Sequence, residues 1–256
     1  MTKKLIALDL DGTLLRPDGT ISEFTKKTIK DVQEKGHQII IATGRPYRMA
    51  IDYYKDLGLE TPLITFNGSL TNLPDREWNY EHSVKLDKKY LISLLKRQDE
   101  LQMDFLASEY RRHFYITMKY PERIQPELFG VDKIIESMRL EPHKITSNPN
   151  ALLIQTRHED KYQLADDIKK DFNREIEVDS WGGPHNILEF SPKGINKAYA
   201  LNYLIETMRK STDDLIAFCD EHNDTEMLAL AKTGYAMKNA SSILLPHANE
   251  QIKWTN

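Results

Sequence analysis

The stretch Leu5-Ile6-Ala7-Leu8-Asp9-Leu10-Asp11-Gly12-Thr13-Leu14 decides how the chain reads. Residues 5–10 are apolar up to the first aspartate and are expected to form a strand buried on both sides, the kind found in parallel sheets covered by helices. If the strand persists, residues two apart share a face, so Asp9 and Asp11 point together while Leu10 points away. Gly12 allows the chain to turn sharply there. Two adjacent carboxylates repel unless a cation or a shared proton lies between them. The carboxyl ends of parallel strands are also where open α/β sheets hold their ligands. Taken alone, Asp-x-Asp reads more readily as a pair of strand-terminal turn residues, so the Gly-Thr that follows and the rest of the chain must decide.

Outward from this stretch, strand and helix signals alternate. Ser22 is placed to cap a helix running to about residue 35, with Gly36 as its stop. Residues 38–42 carry three consecutive isoleucines and read as a second strand. Pro46 suits the first position of a following helix that Gly58 ends. Residues 63–66 form a third strand, closing at Asn67-Gly68. Between about 84 and 181 the pattern changes. Helices are expected over 86–96, 131–138 and 159–173, strands over 114–118 and 151–155, and a turn at Trp181-Gly182-Gly183-Pro184. Residues 187–190 read as the returning strand. The parallel pattern then resumes with a helix over 195–209, a strand over 215–219, a helix over 225–232 and a strand over 235–237. The expected fold class is α/β. A core of residues 1–83 and 184–256 is made from both ends of the chain, and residues 84–183 form an inserted α+β domain.

Composition narrows the function classes. Among 256 residues, 29% are charged and 40% hydrophobic, with a net charge of −4. That is ordinary for a globular protein and offers no general basic surface for nucleic acid or an anionic membrane. Nothing marks an obligate protein partner. Cys219 is the only cysteine, so no disulfide forms within the chain, which fits a reducing, cytoplasmic setting. Lys3 and Lys4 precede an apolar run that Asp9 and Asp11 interrupt too early for a signal peptide. No stretch approaches the roughly 18 apolar residues of a membrane span.

Three further motifs carry chemistry. Thr43-Gly44-Arg45-Pro46 ends the second strand, where a hydroxyl and free backbone N–H groups can hold a small anion. Taken alone it reads better as a plain strand-to-helix turn with Pro46 at the first helical position, and Arg45 is open between a ligand contact and a structural ion pair. Lys193-Gly194-Ile195-Asn196-Lys197 opens a helix, where a lysine opposes the helix dipole unless an anion compensates. Cys219-Asp220-Glu221-His222-Asn223-Asp224 ends a core strand and sets Asp220 where strand-end carboxylates meet a hard cation. Asn223 and Asp224 also suit helix capping, and His222 reads as a loop residue. Arg111, Arg112 and His113 in the insertion are candidates for reading a polar substrate, or are solvated surface.

Together, Asp9-Leu10-Asp11-Gly12-Thr13-Leu14-Leu15, Ala42-Thr43-Gly44-Arg45, Lys193 to Lys197, Asp220 to Asp224 and Ala236-Met237-Lys238-Asn239-Ala240 resemble the haloacid-dehalogenase-like hydrolases. The likeness is to the Cof-type, sugar-phosphatase-like branch with a large inserted cap. The resemblance spans the chain in order, the cap matching by size and position. It implies a doubly wound, Rossmann-like parallel-sheet core and a phosphatase acting on a small phosphorylated metabolite. Asp9 would be the nucleophile that becomes an aspartyl-phosphate, and Asp11 the general acid and base. Thr43, Gly44, Lys197 and Asn223 would hold the phosphate. Asp9, the main-chain carbonyl of Asp11, and Asp220 would bind Mg2+, with Asp224 acting through water. Cys219 and Lys238 stand where this family commonly has glycine. A sugar phosphomutase shares these core motifs and is the alternative enzyme. A non-catalytic phosphometabolite-binding protein is the alternative of another class, which loss of Asp9 or Asp11 would have favoured. Sugar phosphates, flavin mononucleotide and pyridoxal phosphate all remain open as substrates.

Overall fold

The computed structural model describes residues 3–181 and 185–255. The chain begins with strand β1 (Leu5–Leu8), helix α1 (Glu23–Glu34), β2 (Gln38–Ile41), α2 (Tyr47–Asp56), β3 (Leu63–Thr65), β4 (Leu70–Asn72) and β5 (His82–Ser83). It continues through α3 (Lys88–Lys96), β6 (Met103–Glu109), β7 (Phe114–Ile116), β8 (Ala151–Thr156), α4 (Lys161–Asp171), β9 (Ile176–Ser180) and β10 (Ile187–Pro192). It ends with α5 (Lys197–Thr207), β11 (Leu215–Cys219), α6 (Thr225–Leu230), β12 (Thr233–Ala236) and β13 (Glu250–Gln251). Two compact units result: Met1–Arg45, Ala50–His82 and Ile195–Asn256 form one, Pro46–Met49 and Ser83–Gly194 the other.

The first unit is built on a parallel sheet in the order β13-β12-β11-β1-β2. Ala42 extends it by a parallel bridge to Ile64 of β3, which otherwise pairs antiparallel with β4. One face carries Leu5, Ala7, Ile40, Leu215, Ala217 and Cys219, packed under Ala200, Leu201 and Leu204 of α5 and Met227 and Leu228 of α6. Ile39 and Ile41 alternate to the other face and are equally buried, with α1 lying along β2. Ser22 starts α1 by accepting the Thr25 N–H at 3.0 Å, a cap worth about 1 kcal/mol. Gly36, at φ 85°, turns the chain away after it. From β1 the chain steps to β2 on one side, and from β11 to β12 on the other. The strand order therefore reverses between β1 and β11, the position at which such sheets form a ligand crevice at their carboxyl ends.

The second unit holds an antiparallel sheet in the order β7-β6-β8-β10-β9. Leu91 and Leu94 of α3 and Leu164 and Ile168 of α4 pack on Met103, Leu106, Leu152, Ile154, Leu188 and Phe190. The other face buries Phe105, Phe114, Ile116 and Leu153 with Phe129 and Ile187. Strand β10 is the returning strand expected near 187–190, but it pairs with β8 and β9 through residues 187–192. The core's second segment thus resumes at Ile195, not at 184. Gly182 to Pro184 of the expected turn lie outside the described residues. No helix forms over 131–138; only a single tight turn does, Glu136–Met138. There Val131, Ile134 and Met138 side chains serve the sheet cluster, and β-branched residues give little helical preference to override that packing.

Candidate active site

Strand β1 ends at Leu8, and Asp9 is its extended continuation, its N–H still donating to Phe218 O of β11 at 3.2 Å. The chain then makes one wide turn, Leu10–Leu14, closed by Leu15 N–H on Leu10 O at 2.8 Å. Gly12 sits at φ 73°, and a Cβ there would lie 2.0 Å from Asp220 Oδ2. Only glycine fits this approach. Because the chain leaves the strand after Asp9 and enters the Leu10–Leu14 turn, the two carboxylates do not share a face as the sequence led one to expect. Asp9 is 5% exposed, while the Asp11 side chain is 59% exposed and held by Arg45. Arg45 Nε reaches Asp11 Oδ2 at 2.7 Å and Nη2 reaches Oδ1 at 2.6 Å, which answers the open question about this arginine in favour of an ion pair.

Lys197 is the first residue of α5, following Asn196, whose side chain caps the helix by accepting Tyr199 N–H at 2.9 Å. Its ammonium is 1% exposed and lies 2.6 Å from Asp9 Oδ1 and 2.5 Å from Asp224 Oδ1. Burial works against the lysine's charge, but Asp224 and Asp9 more than reverse this and raise its pKa. One ammonium cannot neutralise two buried carboxylates. Burial first, and then the Asp224 charge, push Asp9 up to about 8 although Lys197 pulls the other way. Asp220, at the end of β11, is raised to about 6, mainly by burial and against the Thr13 hydrogen bond.

Oxygens of Asp9, Asp220 and Asp224 lie within 4.8 Å of one another. Three carboxylates facing one lysine leave negative charge uncompensated, and an all-oxygen donor set suits a hard divalent cation such as Mg2+. The carboxylate of Asp11 lies outside this group. Thr13 Oγ1 donates to Asp220 Oδ1 at 2.7 Å, fixing that carboxylate beside the wide turn.

At the end of β2, Thr43 is 1% exposed and its Oγ1 accepts the Arg45 N–H at 3.1 Å. A Cβ on Gly44 would come within 3.1 Å of Asn67 Oδ1. Asn67 is the residue that sequence reasoning passed over. It follows β3 at φ 52°, a left-handed conformation that asparagine tolerates, and accepts from Asn223 Nδ2 at 3.1 Å. Its signal was visible in retrospect: an Asn-Gly pair at the end of a core strand, like the ends of β1, β2 and β11. His222 is half-exposed against Glu221 and remains a loop residue. Cys219 is buried and its thiol is pushed well up by burial, so it behaves as a packing residue. In the second unit, Arg111 and Arg112 stack on the Tyr47 ring at 5.2 and 4.9 Å.

Residues 6–256 match the model of the haloacid dehalogenase-like hydrolase family. The chain belongs to the haloacid dehalogenase-like hydrolases. This hydrolase is 32% identical over 248 residues to 5-amino-6-(5-phospho-D-ribitylamino)uracil phosphatase YitU of Bacillus subtilis (strain 168), across 96% of this chain and 90% of that one. It is 28% identical over 260 residues to the pyridoxal phosphate phosphatase YbhA of Escherichia coli (strain K12), across 97% and 93% of the two chains. A haloacid dehalogenase-like hydrolase from Bacteroides thetaiotaomicron has the same fold, with a TM-score of 0.82 at 23% identity over 98% of this chain and 94% of that one. The hydrolase is a phosphoric monoester hydrolase, a phosphatase with an α/β Rossmann-like core. Among the described residues, no helix is long and apolar enough to cross a membrane.

Proposed function

We propose that this hydrolase removes phosphate from a small phosphorylated metabolite in the cytoplasm, in a magnesium-dependent reaction that passes through an aspartyl-phosphate on Asp9. The observation that carries the reading is the buried Asp9 carboxylate at the sheet's reversal point, with Lys197 on Oδ1 and two further carboxylates within 4.8 Å. Lys197 occupies Oδ1, which leaves Oδ2 to attack phosphorus. The bond from phosphorus to the ester oxygen breaks, and Asp11 gives that oxygen its proton. Water then attacks phosphorus and loses a proton to Asp11. The bond to Asp9 breaks, restoring the carboxylate and releasing inorganic phosphate. Lys197 offsets charge on the transferring oxygens. Thr43, the Gly44 N–H and Asn223, which donates to Asn67, would hold the phosphate. Asp9, Asp220, Asp224 and the carbonyl of Asp11 would hold Mg2+. When bound, the ion shields the attacking carboxylate from the anionic ester and aligns the two.

The relatives named above act on a phosphoribitylaminouracil and on pyridoxal phosphate. We assign the same broad substrate class here, with the inserted unit setting selectivity and the core setting the chemistry. A panel of phosphate esters assayed with Mg2+ and with excess chelator tests this. Phosphate release from one or more small metabolites, lost on chelation, is expected. Undiminished hydrolysis in chelator would overturn the magnesium mechanism.

A further inference from the structure

The loop after β12 has no part in the chemistry above, yet it closes on the site. Asn239 Nδ2 donates to Gly12 O at 2.9 Å and to Asp220 Oδ2 at 3.2 Å. The loop is tied independently to the end of β11. Met237 N–H donates to Cys219 O at 2.9 Å, and Ser241 N–H donates to Asp220 O at 2.8 Å. Gln251 of the edge strand β13 supports it from behind, donating to Met237 O at 3.3 Å and Lys238 O at 3.2 Å.

We propose that Asn239 is a positioning residue that sets the Asp220 carboxylate for a divalent cation; the inference rests on the magnesium reading above. Asp220 is gripped at both oxygens, Oδ1 by Thr13 and Oδ2 by Asn239. Behind Oδ2 stands Gly12, leaving no slack for the carboxylate to swing back. Each carboxylate oxygen has about two lone-pair sites, so one neutral hydrogen bond apiece orients the group and still leaves acceptors for a cation. An amide is suited to this. A lysine at the same place would orient Asp220 equally well but would compete with the cation for its charge. By bonding Gly12 O as well, Asn239 fixes the spacing between the turn after β1 and the end of β11, the two segments that must converge on the ion. Such outer partners typically govern about 10- to 100-fold in metal affinity.

The test is Mg2+ binding by titration calorimetry to the full-length protein and to its Asn239→Ala and Asn239→Leu variants, with melting temperatures taken in chelator. Asn239 is solvent-exposed and the loop keeps its main-chain ties, so both variants are expected to melt close to the parent without metal. Their Mg2+ dissociation constants are expected to rise about 10- to 100-fold. Their kcat on an aryl phosphate is expected to recover at high Mg2+, with KM for the ester little changed. Parent-like Mg2+ affinity in both variants would overturn the role of Asn239 and leave the magnesium mechanism standing. A parent protein that binds no Mg2+ would overturn both.

Discussion

Arg45 grips both oxygens of Asp11, at 2.7 and 2.6 Å, while Asp9, two residues earlier, is claimed by Lys197 at 2.6 Å. The paired carboxylates of the sequence therefore belong to two different cations, one just after β2 and the other at the start of α5. Asp9 is almost fully buried, as the proposed attacking group would be. Asp11 is exposed, as the proposed proton donor to a leaving group and acceptor from water would need to be. Its fork from Arg45, which also lies over the Tyr53 ring at 5.4 Å, gives that exposed side chain one orientation.

Removing the fork should therefore cost orientation at the proton-transfer step more than at phosphoryl transfer. Arg45→Met is expected to lower kcat/KM on alkyl phosphates by about 10- to 100-fold, the range that misplacement of a catalytic group produces. Aryl phosphates, whose leaving groups need no proton, should lose less. Arg45→Lys restores charge without the two-pronged geometry and should recover only part of the loss. Equal losses across a leaving-group series would contradict the orienting role.

Lys197 is the counter-charge of a buried triad, so its loss should be felt in stability before chemistry. Lys197→Met leaves Asp9 and Asp224, 5% and 0% exposed, facing each other without an ammonium. Stripping a buried pair of one partner costs about 3–5 kcal/mol. Urea denaturation in chelator is expected to show a loss of that order, and added Mg2+ should return part of it. A variant as stable as the parent in chelator would show that the triad is not under electrostatic tension.

Much of this was legible in the chain, for identifiable reasons. Strands β1 and β11 are uninterrupted apolar runs followed by Asp, β2 carries three isoleucines running on to Thr43, and helix α1 carries its own cap and stop in Ser22 and Gly36. The placement of Asp9, Thr43 and Asp220 at strand ends follows from that pattern. What escaped depends on long-range pairing. Strand β6 contains Asp104, Ser108 and Glu109, all buried, and reads as polar chain until Arg48 and Arg123 are seen to pair with its carboxylates. The divergence of Asp9 from Asp11 hinges on where β1 stops, which the sequence does not mark. Asn67 and Asn239 gain their roles only when distant loops meet.

Glu109 offers a test by pH in the second unit. Burial raises its pKa, with Arg48 opposing from 2.5 and 3.1 Å. A carboxyl whose folded pKa lies above its unfolded value contributes stability that is complete below the unfolded pKa. That contribution is lost as pH rises through the folded pKa. Arg48→Met removes the opposing charge and should raise Glu109 further. The variant's deficit should then be small near pH 4.5 and grow towards pH 8, reaching about 3–5 kcal/mol. Burial and Arg48 lower the His113 pKa, and removing Arg48 changes that too, so the comparison is best made with His113→Gln in both proteins. A deficit that does not grow with pH would refute the assignment.

The sharpest test separates the two aspartates. Asp9→Asn removes the charge of the attacking oxygen and should abolish phosphorylation of the protein. It should also relieve Lys197 of one of its two carboxylates, so this variant is expected to fold. Asp11→Asn leaves Asp9 and its lysine untouched but removes the group that gives and takes the proton. General acid–base catalysis is worth roughly 10² to 10⁴ in rate, so hydrolysis of alkyl phosphates should fall within that range. The loss should shrink for an aryl phosphate in the first step only. The second step still needs a base for water, so phosphorylated protein should accumulate. Rapid-quench measurement of labelled phosphate on the protein, with an aryl phosphate as donor, reads both effects. Label on Asp9→Asn, or an Asp11→Asn variant equally slow on all leaving groups with nothing trapped, would reverse the roles assigned to the two residues.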